Sequence, residues 1–125
     1  MKYLCLICAE KVMEQMSSAD ADAHFEEYRE FTSALRASGH YVSCNRLEPP
    51  NAATTVRVRQ GKVSAVDGPY AETKEQLGGY YLIDAKDLNE AIQVAARIPG
   101  ACIGCVEIRP IAEDAKTLEA LGFSA

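Results

Sequence analysis

The stretch Asp67-Gly68-Pro69-Tyr70-Ala71-Glu72-Thr73-Lys74-Glu75-Gln76-Leu77-Gly78-Gly79-Tyr80-Tyr81-Leu82-Ile83-Asp84 decides how the chain folds. Its first eleven residues read as a loop, which Gly78-Gly79 closes by opening a strand over Tyr80 to Ala85. Asp87-Leu88-Asn89-Glu90 follows with capping-box spacing, Asp standing in for Ser or Thr. The helix it starts is expected to place Leu88, Ala91, Ile92 and Ala95 on one face and to end near Pro99-Gly100. A final strand, Cys105 to Ile111, precedes an acidic tail in which Leu118 and Leu121 are set for a short docking helix.

Upstream of the quoted run, Thr54 to Gln60 alternates Val56 and Val58 with Arg57 and Arg59, so one face is expected buried and the other solvated or lining a site. Gly61 turns the chain into Lys62 to Val66, and the two segments make a hairpin. Before it, Tyr41 to Leu47 is a strand stopped by Glu48-Pro49-Pro50-Asn51, whose prolines cannot donate to a ladder. Ser17-Ser18 with Asp20 and Asp22 supplies caps and first-turn acids for a helix running to about Ala37. His24, Tyr28, Phe31 and Leu35 fall on one stripe of that helix. The opening strand, Lys2 to Cys8, is almost continuously apolar, as in a short strand covered on both faces or lying at a sheet centre.

The order is therefore β-α-β-β-(β)-α-β: an α+β, ferredoxin-like split βαβ with an inserted hairpin strand. Two helices cover one face of such a sheet and the other face needs a separate cover, for which a second copy of the chain is the simplest source. A homodimer is expected.

At 125 residues, with 48% of them apolar, the chain is one domain with a respectable core. A net charge of −5 with 13 scattered basic residues argues against a nucleic-acid partner. No run approaches the roughly 18 consecutive apolar residues of a membrane span, and the Met-Lys-Tyr start has no signal-peptide character, so the expected location is cytoplasmic. Five cysteines, an odd number without a secretory signal, point to reduced thiols. Cys5-Leu6-Ile7-Cys8 and Cys102-Ile103-Gly104-Cys105 have the spacing of zinc ligands. Residues three apart on a strand point to opposite faces, however, so no metal site is expected without a bulge or turn.

The quoted run resembles the hallmark of the DGPF branch of the YCII-related family, with Tyr70 where Phe is usual. Met1-Lys2-Tyr3, Pro49-Pro50 followed by Thr54-Thr55-Val56-Arg57, Ala95-Ala96-Arg97-Ile98-Pro99 and Val106-Glu107-Ile108-Arg109-Pro110 extend the likeness over about residues 1 to 112, leaving 113 to 125 as a tail or short helix of the same domain. The resemblance implies a dimeric α+β barrel with a small cavity in each subunit, an architecture shared with muconolactone isomerases, a dehydrochlorinase and haem or antibiotic monooxygenases. It also implies an extracytoplasmic-function sigma factor as a candidate partner. In the wider family a histidine near the start of the first helix pairs with an aspartate, and His24 stands in the corresponding place. The aspartate of an Asp-Pro step is replaced by Ile98-Pro99 here.

Asp67 is the substitute candidate, because a carboxylate near an imidazole fixes its tautomer and leaves it able to shuttle a proton near neutral pH. Asp-Gly-Pro is equally a good turn sequence. Tyr70, Glu72 and Lys74 are candidates for a cavity mouth, the phenol orienting a ligand and the Glu-Lys pair closing over it. Arg57 and Arg59 are candidates for an anionic group. His40, after Gly39, reads as a surface turn residue. The expected function is a cofactor-free lyase or isomerase in which His24 moves a proton on a small molecule. The rival is a small-ligand-binding or regulatory module that does no chemistry.

Overall fold

The computed structural model describes residues 1–10 and 16–123. Strand β1 (Lys2–Ala9) is followed by α1 (Ser18–Ala37), β2 (Tyr41–Arg46), β3 (Thr54–Arg59), β4 (Lys62–Asp67), β5 (Gln76–Asp84), α2 (Leu88–Ala95), β6 (Cys105–Pro110) and α3 (Ala115–Ala120). Short 3-10 turns occupy Pro50–Ala52 and Pro99–Cys102. The main sheet has the order β2-β5-β1-β6, and every neighbouring pair in it is antiparallel. β1 and β2 thus run the same way with β5 between them, the split βαβ arrangement of a ferredoxin-like sheet.

β1 is an interior strand and carries apolar side chains on both faces. Tyr3 and Cys5 point under the helices and are fully buried, whereas Leu4 and Leu6 point the other way and are half-buried. Register carries this alternation across the sheet: Tyr3 lies opposite Ile83 and Cys5 opposite Tyr81, while Leu4 faces Leu82 and Leu6 faces Tyr80. An irregularity between Tyr41 and Ser43 lets β2 aim both Tyr41 and Cys44 at the helices, although the two are three residues apart.

The core lies between that sheet face and the helices. Phe31 and Leu35 of α1, Ala91, Val94 and Ala95 of α2, and Ile98 pack on Tyr3, Cys5, Tyr81 and Ile83. Full burial of a side chain such as Leu35 or Ile83 contributes about 1.5–3 kcal/mol. The helix ends follow from the caps: Ser17 accepts from the Asp20 N–H at 3.2 Å and Asp87 from the Glu90 N–H at 2.9 Å. Leu88 and Ile92 depart from expectation, being about half exposed. The short α2 turns its Ala91, Val94 and Ala95 face to the sheet, which leaves Leu88 and Ile92 at its outer edge.

Two further differences concern strands. β5 begins at Gln76, inside what reads as loop, because Gln76 and Leu77 already pair with Ala9 and Cys8. Gly79 then passes so close to β2 that a Cβ there would lie 2.8 Å from the Asn45 carbonyl oxygen, which gives the glycine of the run a steric reason. The insertion is a complete hairpin: among the described residues β3 and β4 pair only with each other, from Thr54 opposite Asp67 to Arg59 opposite Lys62. None of the described residues covers its valine face, and Val56, Val58 and Val63 are 60, 56 and 72% exposed. The hairpin is tied back at its base, where Gly68 N–H donates to the Ala53 carbonyl and Thr55 Oγ1 to the Gly68 carbonyl, both at 2.7 Å.

At the C-terminal end Glu113 accepts from the Lys2 N–H at 2.8 Å, anchoring the tail to β1. α3 is capped by Asp114, whose carboxyl is held below its ordinary range by hydrogen bonds from Thr117. Of the expected docking pair, Leu118 is half-buried and Leu121 is exposed. Residues 124 and 125 lie outside the described residues. No helix among the described residues is long and apolar enough to cross a membrane.

Candidate functional site

Where α1 stops packing tightly on the sheet, a cavity of about 380 Å³ opens. Its floor is the end of the sheet formed by Ile7 of β1, Cys44 and Arg46 of β2, and Gly79 and Tyr81 of β5. One wall is the first half of α1, with His24, Phe25 and Tyr28, and another is the Pro99–Cys102 turn with Gly100 and Ile103 beside it. Pro49 and Pro50 close the side next to β2. The lining is predominantly apolar and aromatic with a few polar groups, the usual make-up of a small-molecule site.

The aromatic groups are mutually fixed. His24 meets Tyr28 edge-on, with ring centroids 5.0 Å apart at 87°. Tyr28 stacks on Tyr81 at 6.4 Å, and Tyr81 meets Phe31 edge-on at 5.2 Å. The Tyr81 hydroxyl is 2.6 Å from Thr32 Oγ1, and the Gly100 N–H donates to the Tyr28 hydroxyl at 3.0 Å. Burial pushes the Tyr28 phenol up to about 12, against the opposing effect of the Gly100 bond. Burial likewise raises Tyr81, against the Thr32 bond. Tyr28 is therefore a neutral phenol at ordinary pH. With its oxygen accepting from Gly100, its own proton can be donated to a bound molecule.

Charged groups sit at the rim. The Arg46 guanidinium lies over the Phe25 ring, 5.2 Å from the centroid, which holds a cation at the cavity edge. Glu10 also borders the cavity and is paired with Lys74 at 3.3 Å. His24 projects from a helix stripe, so its position is set by the packed part of the same helix. The site can enclose a small, flat, largely apolar molecule, offer it one phenolic donor and one imidazole, and face an anionic end with Arg46.

The residues expected from sequence fall in three places. His24 lines the cavity. Glu72 lines a second recess of about 390 Å³, made with Asn51, Gly68, Pro69 and Thr73, which shares Pro50 and Gln76 with the first. Lys74 approaches the cavity through Glu10 and not through Glu72. Asp67 ends β4 opposite Thr54, is exposed, and borders neither space. Tyr70 is 84% exposed. Arg57 and Arg59 lie along the hairpin, where Arg59 Nη1 donates to the Val58 carbonyl at 3.1 Å.

Tyr28, Cys44, Arg46 and Glu10 are cavity residues that sequence reading did not single out. Tyr28 had a signal, being four residues from His24 on the same stripe. Arg46 and Cys44 had none, since their approach depends on the irregularity in β2.

His40 is no surface turn residue. Its ring is mostly buried, with Nδ1 2.7 Å from Ser38 Oγ and Nε2 2.5 Å from Glu90 Oε1, joining the end of α1 to α2. All five cysteines are free thiols. Cys5 faces the helices and Cys8 the opposite side of the sheet, and no group of three or more metal-ligating side chains gathers among the described residues.

A family model described as the YCII-related domain matches residues 1–114. An uncharacterized protein of Rhizobium meliloti (strain 1021) is 48% identical to this chain over 69 residues, which are 54% of this chain and 56% of that protein. The matched segment thus spans a little over half of that relative's length.

Proposed function

The chain belongs to the YCII-related family, and from that premise we propose that its cavity binds a small, largely apolar molecule on which His24 moves a proton, as a lyase or isomerase without a cofactor. The observation that carries this reading is the placement of His24: it is the histidine in the wall of the cavity, edge-on to a phenol that burial keeps neutral. A positioned imidazole contributes typically 10²- to 10⁴-fold through general acid–base catalysis. Tyr28 would donate to the polar end of the molecule and Arg46 would face an anionic group. This assignment rests on His24 and does not require Asp67.

The second reading, a ligand-binding or regulatory module that does no chemistry and has a sigma factor as its candidate partner, is favoured by one observation: Asp67 lies outside the cavity. A homodimer is part of either reading. It is supported by the half-buried Leu4, Leu6, Tyr80 and Leu82, which point to the sheet face away from α1 and α2. A monomer in light scattering at micromolar concentration would contradict it.

The test of function is a panel of small lactones and chlorophenols, assayed for binding by calorimetry and for turnover by chromatography. Wild type is expected to turn over a ligand that His24→Ala still binds but converts 10²- to 10⁴-fold more slowly. Binding without turnover in wild type supports the second reading, and unchanged turnover in the variant removes His24 as the base.

A further inference from the structure

Cys8 and Cys105 lie directly opposite each other on the adjacent antiparallel strands β1 and β6. Directly opposed residues of an antiparallel pair have Cα atoms about 4.5 or 5.5 Å apart, within the roughly 4.4–6.8 Å that a disulfide spans. Both side chains point to the sheet face away from the helices, because Cys8 alternates with Ile7 and Cys105 with Val106. The remaining cysteines are differently placed: Cys5 is buried on the other face, Cys44 is on β2 beyond β5, and Cys102 is in a 3-10 turn.

We propose that Cys8 and Cys105 form a reversible intrachain disulfide that clamps the end of β1 to β6 beside the cavity. The oxidant class is a small organic disulfide. The Cys105 thiolate, on the edge strand and exposed in the single subunit, attacks one sulfur of that disulfide and releases the other as a thiol, a step that in the proposed homodimer needs the two copies to part. The Cys8 thiolate then attacks the Cys105 sulfur of the mixed disulfide, forming the intrachain bond and releasing the second thiol. Two protein thiols lose two protons and two electrons, and the reagent gains them as two small thiols.

The location gives the bond a consequence. Cys8 lies between Ile7 and Ala9, and Cys105 is two residues beyond Ile103, and all three of those neighbours line the cavity. Oxidation would therefore pin the cavity wall. The surroundings also set the pace. Glu75 accepts from the Cys105 thiol and raises it, and burial with the charges of Glu107 and Glu75 raises Cys8. Exchange should accordingly be slow at neutral pH and quicken as pH rises.

The full-length chain is incubated with oxidised glutathione at pH 8 and then alkylated, and its intact mass and non-reducing peptide map are recorded. The expected product is a single-chain species that carries two fewer alkyl groups than the reduced, alkylated chain, with the Cys8 and Cys105 peptides joined, a raised thermal midpoint, and reversal by dithiothreitol. Cys8→Ser and Cys105→Ser should each stop at a mixed disulfide. Their reduced forms should melt as reduced wild type does, which shows that they fold. A map joining any other pair, a bond between chains, or two thiols that remain free while glutathione oxidises an unstructured control peptide would each overturn the proposal.

Discussion

Gly100 and Tyr28 are locked together: the Gly100 N–H donates to the Tyr28 hydroxyl at 3.0 Å, and a Cβ at position 100 would lie 2.6 Å from that oxygen and 2.7 Å from Ile7 Cγ2. The contact joins α1 to the turn after α2 across the cavity wall. It fixes the phenol that stacks on Tyr81 and carries the edge of His24. A backbone amide thus sets the position of the ring beside the proposed base.

Gly100→Ala should therefore cost about 1–3 kcal/mol, the range for forcing extra carbon into a packed site. Because the atoms met are side-chain ends, the chain should still fold, with Tyr28 displaced into the cavity. Urea denaturation would read the loss of stability, and calorimetry with a cavity ligand would read weakened binding. Unchanged stability would mean that the wall is looser than the contact distances imply.

Tyr28→Phe removes the acceptor for a buried N–H, which should cost about 1–3 kcal/mol at pH 7. Its pH signature is more specific. The phenol's ordinary value is 10.0 and the folded value is about 12. Between those values the unfolded chain sheds a proton that the native chain keeps, so native stability falls as pH rises through that window. Cys5, raised by burial from 9.0 to about 11, adds an earlier decline of the same sign. Urea midpoints measured from pH 8 to 12 should fall less steeply above pH 10 in Tyr28→Phe than in wild type, with the share due to Cys5 and to the likewise raised Tyr81 remaining. An unaltered alkaline profile would show that the phenol is not protected as its burial implies.

The elements were legible wherever local chemistry sufficed. The Asp87 cap, the α1 stripe and the apolar opening strand all depend on neighbours within a few residues, and each is present in the structure. Gln76 and Leu77 were misread because a strand start preceded by Pro, Thr and Lys has no local mark; only pairing with Cys8 and Ala9 makes it one. His24 was legible as a polar break in an apolar stripe. Its surroundings were not, since Arg46, Gly100 and Gly79 reach it from segments more than twenty residues away. Asp67 has the chemistry of a histidine partner, but chemistry alone cannot say on which side of a hairpin base a carboxylate will stand.

His40 and Glu90 form a histidine–carboxylate contact at the end of the sheet remote from the cavity, where Asp84 N–H also donates to the His40 carbonyl. Its role should be to brace the helices. His40→Ala leaves the partly buried Glu90 without this partner and should cost about 1.5–3 kcal/mol, as for hydrogen bonds to charged groups. Cavity binding should be unchanged once the protein is folded. A parallel loss of binding in calorimetry, at a temperature where the variant is fully folded, would instead make this pair part of the site.

The positions of His24 and Asp67 allow a decisive comparison. If the two worked as a pair, either substitution would remove the same proton-transfer step, and the double variant would be no worse than each single one. The structure puts Asp67 at an exposed strand end outside the space that His24 lines. Asp67→Asn should therefore behave as a surface substitution within about 0.5 kcal/mol, or roughly twofold in turnover. His24→Ala should lose 10²- to 10⁴-fold. Glu10→Gln should fall between them, because Glu10 is the carboxylate that borders the cavity among the described residues, although Lys74 already neutralises it. Steady-state kinetics on one cavity substrate would rank the three. A loss in Asp67→Asn equal to that in His24→Ala would require the hairpin base to reach a cavity in the assembled protein, and would restore Asp67 as the partner of His24.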